Sequence, residues 1–154
     1  MRIALLGILS LALQLIAASA FAQSSTASFP KEVDQTQGRI KFEAPMKDRQ
    51  IVDGDTIWMG IHEIRLYGIE TVEPKQDCRR GRENVDCHSL TIEELKKHIS
   101  DPSFRCDGFR VKDGKPWKSY GRFVALCYTD AGEVNLAMIE SGWALAEKKD
   151  KDSI

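Results

Sequence analysis

Residues 50–70 read QIVDGDTIWMGIHEIRLYGIE and decide the predicted fold class. β-Branched and aromatic residues dominate this stretch, and glycines at positions 54, 60 and 68 divide it into segments of strand length. Glycines at such points let strands bend, so the pattern predicts a meander that curves toward a barrel. We therefore expect the domain to begin with β-strands.

A helix is predicted beyond this meander, over residues 91–99 with the sequence TIEELKKHI. Thr91 and Glu94 have the spacing of a capping box, in which the two side chains bond backbone N–H groups at the start of a helix. The apolar residues then repeat at helical spacing and share one face. They are Ile92, Leu95 and Ile99.

Two strands and a second helix complete the predicted domain. The strands lie around residues 104–111 and 121–128, and a turn-rich segment separates them. The helix runs from about Val134 to Ser141 and ends at Gly142. This element order predicts an α+β, mainly β protein, with a five-stranded OB-fold-type barrel and two or more helices.

The N-terminal sequence MRIALLGILSLALQLIAASAFAQ has one positive charge, an apolar run and an A-x-A arrangement. It predicts a secretory signal peptide over residues 1–22, with an uncleaved anchor helix as the alternative. Residues 23–38 are polar and without period, so we expect a mobile mature N-terminus. The domain is expected over residues 39–150, and cleavage of the 154-residue chain leaves 132 residues, enough for one core.

The net charge of the chain does not identify a partner. The formal value of −1 becomes −2 once Arg2 is removed with the signal peptide. A chain so close to neutrality neither favours nor excludes an anionic partner, because the placement of the charges decides where an anion binds.

Four cysteines remain in the mature chain, at positions 78, 87, 106 and 127. An even number behind a signal peptide predicts two disulfides formed in an oxidising compartment. Zinc is less favoured because no pair has the short C-x-x-C spacing. Three pairings are possible, and we favour Cys78 with Cys87 as a loop staple and Cys106 with Cys127 between neighbouring strands.

Four sequence elements occur in a distinctive order: VDGDT at 52–56, IRLYGIETVE at 64–73, SYGR at 119–122 and GEVNLAMIESGWALA at 132–146. Together they resemble the staphylococcal nuclease (thermonuclease) family. The resemblance covers about residues 49–147. DGDT alone is a weak signal, but four elements at similar spacing make a specific one.

The resemblance implies a calcium site. Asp55 would be the first carboxylate ligand, Thr71 would offer its backbone carbonyl, and Glu70 stands where the family carries a second carboxylate ligand. Asp53 would lie behind these ligands without touching the ion. Hard oxygen donors of this kind are the ligands that Ca²⁺ prefers.

The resemblance also implies how a phosphodiester would be cleaved. Arg65 and Arg122 would hold the scissile phosphate, Glu73 would orient or deprotonate the attacking water, and Tyr120 would lie beside the phosphate. The physical chemistry agrees, because hydrolysis requires neutralising charge on the nonbridging oxygens and activating water.

The implied function is an exported, calcium-dependent nuclease that hydrolyses single-stranded DNA or RNA and leaves a 5′-hydroxyl and a 3′-phosphate. Nucleic acid would be its partner, as substrate. We expect a monomer in the periplasm or outside the cell, with no stable membrane association after signal cleavage.

Other interpretations stay open. Asp53 and Asp55 also suit a plain turn around Gly54. Glu70 replaces the family's aspartate, and its extra methylene moves a carboxylate by roughly 1.5 Å against calcium–oxygen distances of about 2.3–2.6 Å. The alternative function is therefore a catalytically weakened OB-fold binding module in envelope or exopolysaccharide assembly, and a disulfide-stapled structural protein comes third. The histidines, for which surface roles are expected, are His62, His88 and His98.

Overall fold

The computed structural model describes Asp34, residues 36–76 and residues 78–147. These residues form a mixed α+β structure that is mainly β and contains two α-helices, which confirms the predicted class. The predicted signal peptide, most of the predicted mobile segment 23–38 and the last residues of the predicted domain, 148–150, lie outside the described residues.

The secondary structure alternates short strands with two helices. The helices are α1 (Cys87–Ile99) and α2 (Val134–Glu140), and a 3₁₀ turn spans Met46–Asp48. The strands are β1 (Ile40–Phe42), β2 (Arg49–Asp53), β3 (Thr56–Met59), β4 (His62–Leu66), β5 (Ile69–Glu70), β6 (Cys78–Arg80), β7 (Glu83–Val85), β8 (Arg105–Gly108), β9 (Lys118–Ser119), β10 (Arg122–Thr129), β11 (Gly132–Glu133) and β12 (Leu145–Ala146).

The main sheet has the strand order β1-β8-β10-β4-β3-β2, with β9 and β11 also paired to β10. Its neighbours are antiparallel except β4 and β10, which run parallel. Two small sheets, β5 with β12 and β6 with β7, complete the structure. Among the described residues the main sheet is open, with β1 and β2 at its two ends, so its closure into a barrel is not shown.

The core draws side chains from the main sheet and from both helices. In β4, Ile64 and Leu66 are fully buried while Arg65 between them is not, as expected for a strand whose side chains alternate between two faces. This alternation places Arg65 on the face opposite the core. The core residues are Phe42, Ile57, Met59, Ile64, Leu66, Ile69, Leu95, Ile99, Phe104, Cys106, Ala125, Cys127, Val134, Met138 and Ala144.

Both favoured cysteine pairings are confirmed. Cys78 and Cys87 form a disulfide that links β6 to the first residue of α1. Cys106 and Cys127 form the second, between directly paired positions of β8 and β10, with 4.0 Å between their Cα atoms. Two disulfides fit an oxidising environment.

The first helix begins earlier than predicted. Asp86 is its N-cap, and the Asp86 carboxylate accepts from the backbone N–H of Ser89 at 3.0 Å. Thr91 lies inside the helix, where its hydroxyl donates to the Cys87 carbonyl at 2.8 Å. The predicted capping box was therefore wrong, because Thr91 is satisfied within the helix and a true capping residue stands five positions upstream.

Asn135 attaches α2 to the sheet. Its side chain is buried, and Oδ1 accepts from the Cys127 N–H at 2.9 Å while Nδ2 donates to the Tyr67 carbonyl at 2.9 Å. One amide thus satisfies a backbone donor in β10 and a backbone acceptor just after β4. The helix, predicted from about Val134 to Ser141, is confirmed within one residue.

Candidate functional site

The turn between β2 and β3 presents the first predicted site residues. Asp53 ends β2, Gly54 and Asp55 form the turn, and Thr56 begins β3 opposite Asp53. The Asp53 carboxylate accepts from the Gly54 N–H at 2.6 Å, which stabilises the turn. Asp53 therefore has the role of a turn residue that was expected as an alternative for both aspartates. The carboxylate of Asp55 does not bond the turn backbone and contacts Arg65 instead.

Asp55 forms an ion pair with Arg65. The Arg65 Nη1 group donates to Asp55 Oδ2, and the Thr56 hydroxyl donates to Oδ1 at 2.8 Å. The Asp55 side chain is 8% exposed and that of Arg65 20%, so the pair is largely removed from water. The antiparallel register explains the contact, since Thr56 lies directly opposite Arg65 in the β3–β4 pair.

Arg122 reaches the same place from another strand. It is the first residue of β10, and its Nη1 group donates to Thr56 Oγ1 at 3.1 Å. The Thr56 hydroxyl thus accepts from Arg122 and donates to Asp55. We call Asp55, Thr56, Arg65 and Arg122 the polar corner. Two guanidinium groups lie at the ends of one continuous chain of hydrogen bonds.

Thr71 lies against the turn that carries Asp55. A Cβ placed on Gly54 would come within 2.6 Å of the Thr71 hydroxyl and within 2.7 Å of the Thr91 methyl group on α1. Only glycine allows this approach, because its lack of a side chain lets the two threonines contact the backbone. The segment after β5 is therefore held beside the turn that carries Asp55.

Glu70 and Glu73 flank this contact and are both exposed. Glu70 is in β5, and the carbonyl of the preceding residue, Ile69, is 3.4 Å from Arg65 Nη2. Glu73 begins a turn in which its N–H donates to the Gln76 side chain at 2.9 Å. Neither carboxylate has a hydrogen bond or ion pair to another residue in the described parts of the chain.

Tyr120 lies at the tip of the β9–β10 hairpin, two residues before Arg122. Its φ of 49° and the φ of 87° at Gly121 give the two-residue turn that favours right-handed strand twist. The residue is 98% exposed, so its ring is open to a ligand that approaches this hairpin.

The sequence did not assign His88 to this region. His88 Nδ1 lies 3.0 Å from the Val72 carbonyl and 3.6 Å from Asp53 Oδ1. The His88 side chain is 19% exposed and contacts the backbone between Thr71 and Glu73, so it is only partly at the surface. Thr56 was also missed as a site residue, although it belongs to the quoted DGDT element.

The expected calcium ligands have suitable donor chemistry. Asp55 and Glu70 offer carboxylates and Thr71 offers a carbonyl, all hard oxygen donors. Within residues 36–76 and 78–147 no group of three or more His, Cys, Asp or Glu side chains is arranged to hold a metal, but the expected set contains only two such side chains. The donors fit calcium in kind, and Arg65 competes with any cation for Asp55 Oδ2.

A surface cavity of about 520 Å³ shares no lining residue with the polar corner. Arg49 is one of the charged residues that line it. Its guanidinium is occupied by backbone carbonyls, including those of Ala44 at 2.8 Å and Ile99 at 2.9 Å. Arg49 thus joins β2 to the end of α1 and to the segment before β2, and Arg105, the second arginine of the wall, lies 3.5 Å from Asp130 Oδ1.

No protein-family model matches the chain, and no curated protein matches it significantly. The polar corner and its neighbours are therefore the starting point for assigning a function. In the part of the chain that the structure describes, no helix has the length and apolar character needed to cross a membrane.

Proposed function

We propose that this chain is an exported nuclease of the staphylococcal nuclease type, which hydrolyses phosphodiester bonds of single-stranded DNA or RNA with calcium. The observation that carries the proposal is the convergence of Arg65 and Arg122 on the Asp55–Thr56 pair. Two guanidinium groups offer paired N–H donors to the nonbridging oxygens of a phosphate.

The residues of the corner suit different parts of the reaction. Arg65 and Arg122 bind the phosphate and neutralise the charge that grows on its oxygens as water attacks. Glu73 has an exposed carboxylate without a partner among the described residues, so it can accept a proton from that water. Tyr120, exposed near Arg122, offers a ring for the adjacent nucleotide.

Asp55, Glu70 and the Thr71 carbonyl would hold calcium. When bound, the ion supplies positive charge that offsets the negative charge of the phosphate. The role of Asp53 is to stabilise the turn that presents Asp55, since it accepts from the Gly54 N–H.

The OB-fold barrel belongs to the same proposal. β1 and β2, the two ends of the open main sheet, are consecutive in the chain and separated only by residues 43–48. If they are one bent strand, that strand pairs with β8 at one end and with β3 at the other. The count is then five strands around a shared core, as the OB-fold requires.

Export is supported by the two disulfides and by the predicted signal peptide. A reducing cytoplasm would not maintain these bonds. The protein is then a periplasmic or secreted monomer whose substrate reaches it outside the cytoplasm.

The deciding experiment incubates the disulfide-bonded protein with labelled single-stranded DNA or RNA and excess calcium. We expect cleavage products that end in a 3′-phosphate, and no cleavage when a calcium chelator is present. Arg122→Ala should lower turnover by two or more orders of magnitude, while Arg82→Ala, which removes an exposed arginine from the β6–β7 turn, should leave it unchanged. Intact oligonucleotide after prolonged incubation with the wild-type protein would refute the nuclease.

The hydrogen bonds of Asp55 favour a second function. Both its oxygens accept hydrogen bonds from within the protein, so it is satisfied without a metal. A module that binds anionic polymers, such as nucleic acid or an exopolysaccharide, through Arg122 without hydrolysis would use the same corner. Calorimetry separates the two functions, because calcium binding that Asp55→Ala abolishes supports the enzyme and binding of the polymer alone supports the module.

A further inference from the structure

His88 is the second residue of α1 and contacts a segment that belongs to no strand. Its Nδ1 lies 3.0 Å from the Val72 carbonyl. Val72 lies between β5, which ends at Glu70, and β6, which begins at Cys78. The contact thus joins a helix to the irregular backbone that carries Thr71 and Glu73.

The chemistry of this contact assigns the proton. A carbonyl oxygen only accepts hydrogen bonds, so Nδ1 must carry the hydrogen and the ring must be a donor there. Asp53 Oδ1 lies 3.6 Å from the same nitrogen, too far for a hydrogen bond but close enough for attraction. The carbonyl and the carboxylate therefore both favour hydrogen on Nδ1.

The ring has a rigid support. Asp86 caps α1 directly before it, accepting from the Ser89 N–H at 3.0 Å and from the Ser89 hydroxyl at 2.7 Å. Cys87, the neighbour of His88, is joined by a disulfide to Cys78. The cap and the disulfide both fix the first turn of α1. The His88 ring is therefore held in place against the Val72 carbonyl.

We propose that His88 is a positioning residue, which holds residues 71–73 beside the turn that carries Asp55. It acts through the Val72 carbonyl, and the packing of Thr71 on Gly54 is the second contact that orders the segment. The consequence for catalysis rests on the proposed nuclease function. His88 then sets both the direction of the Thr71 carbonyl and the approach of Glu73.

The test compares His88→Leu with His88→Asn in the full mature protein. The amide nitrogen of asparagine takes nearly the place of Nδ1 and can donate to Val72, whereas leucine cannot. We expect calcium affinity, measured by calorimetry, and turnover to fall by at least about tenfold in His88→Leu and to recover in His88→Asn to within a few-fold of wild type. Unchanged exchange protection along α1 will show that both variants are folded.

Two readouts are independent of nuclease activity. Nitrogen NMR of the wild-type ring should show hydrogen on Nδ1, and hydrogen exchange at residues 71–73 should be faster in His88→Leu than in His88→Asn. Hydrogen on Nε2 alone, or identical behaviour of the two variants, would overturn the positioning role. If wild type neither binds calcium nor cleaves, the proposed function fails, and these two readouts still decide the role of His88.

Discussion

Asp55 and Arg65, ten residues apart, form an ion pair between the β2–β3 turn and the penultimate residue of β4. The Asp55 side chain is almost fully buried and Arg65 is its charged partner. A buried carboxylate that loses its partner is strongly destabilising, so this pair contributes to the fold as well as to the proposed chemistry.

A double-mutant cycle will measure that contribution. Arg65→Gln and Asp55→Asn should each lower the free energy of unfolding, and the double variant should lose less than their sum, with a coupling of about 1–3 kcal/mol. The exposed pair Lys115–Asp113 is the control and should show little coupling. Additive losses at Asp55 and Arg65 in denaturant titrations would show that the pair is energetically silent.

Gly54→Ala should destabilise the protein through crowding and not through backbone strain. The added methyl group would lie 2.6–2.8 Å from atoms of Thr71 and Thr91, so the turn or the two threonine side chains must move. We expect a loss of about 1–3 kcal/mol in the free energy of unfolding and changed amide shifts at Thr71. Gly38→Ala is the control, since nothing lies within 4 Å of its Cβ position. Equal stability of the two variants would contradict the close approach.

Asn135→Ala should release α2 from the sheet. The change leaves the Cys127 N–H and the Tyr67 carbonyl without their Asn135 partners in a buried region. The expected cost is about 2–4 kcal/mol in thermal or denaturant unfolding. Leu136→Ala, at the next and exposed position, should cost much less. A reversed order would mean that the helix is held by apolar contacts alone.

Acid should weaken the start of α1. Hydrogen bonds from the Ser89 hydroxyl and N–H lower the pKa of Asp86 below its ordinary value of 3.8. The folded protein therefore binds this proton less readily than the unfolded chain, so the stabilisation is present above pH 3.8 and is lost as the pH falls through the lowered pKa. Asp86→Ala should lower the melting temperature at neutral pH and flatten its fall in acid. Asp86→Asn should keep part of the cap. An acid profile identical to that of wild type in Asp86→Ala would refute this role.

The predicted elements with clear periodicity were found. Strands β2 to β4, β8 and β10 lie within the segments predicted as strands, and α2 ends at Glu140, one residue before the predicted Ser141. The β6–β7 hairpin was missed because half of its residues, CRRGRENV, are charged and its sequence shows no apolar alternation. The start of α1 was misplaced because Thr91 can satisfy its hydroxyl inside a helix as well as at its end.

Side chains that lie in the quoted sequence elements could be proposed for the site from the sequence, whereas a side chain that contacts only a backbone carbonyl could not. The resemblance placed Asp55, Arg65 and Arg122 in one site, and in the structure Arg65 donates directly to Asp55 while Arg122 is linked to it through Thr56. His88 left no such signal. Its partner is a backbone carbonyl 16 residues away, and any residue type at Val72 would supply it.

The central claim is that Arg65 and Arg122 bind one phosphate group. NMR of the guanidinium N–H groups during titration with a short single-stranded oligonucleotide and excess calcium tests it most directly, on Glu73→Gln protein so that the ligand survives. We predict that the signals of both arginines shift with the same saturation curve, while the Arg49 signals, bound to backbone carbonyls, stay in place. Saturable binding that leaves the Arg65 and Arg122 signals unmoved would contradict it.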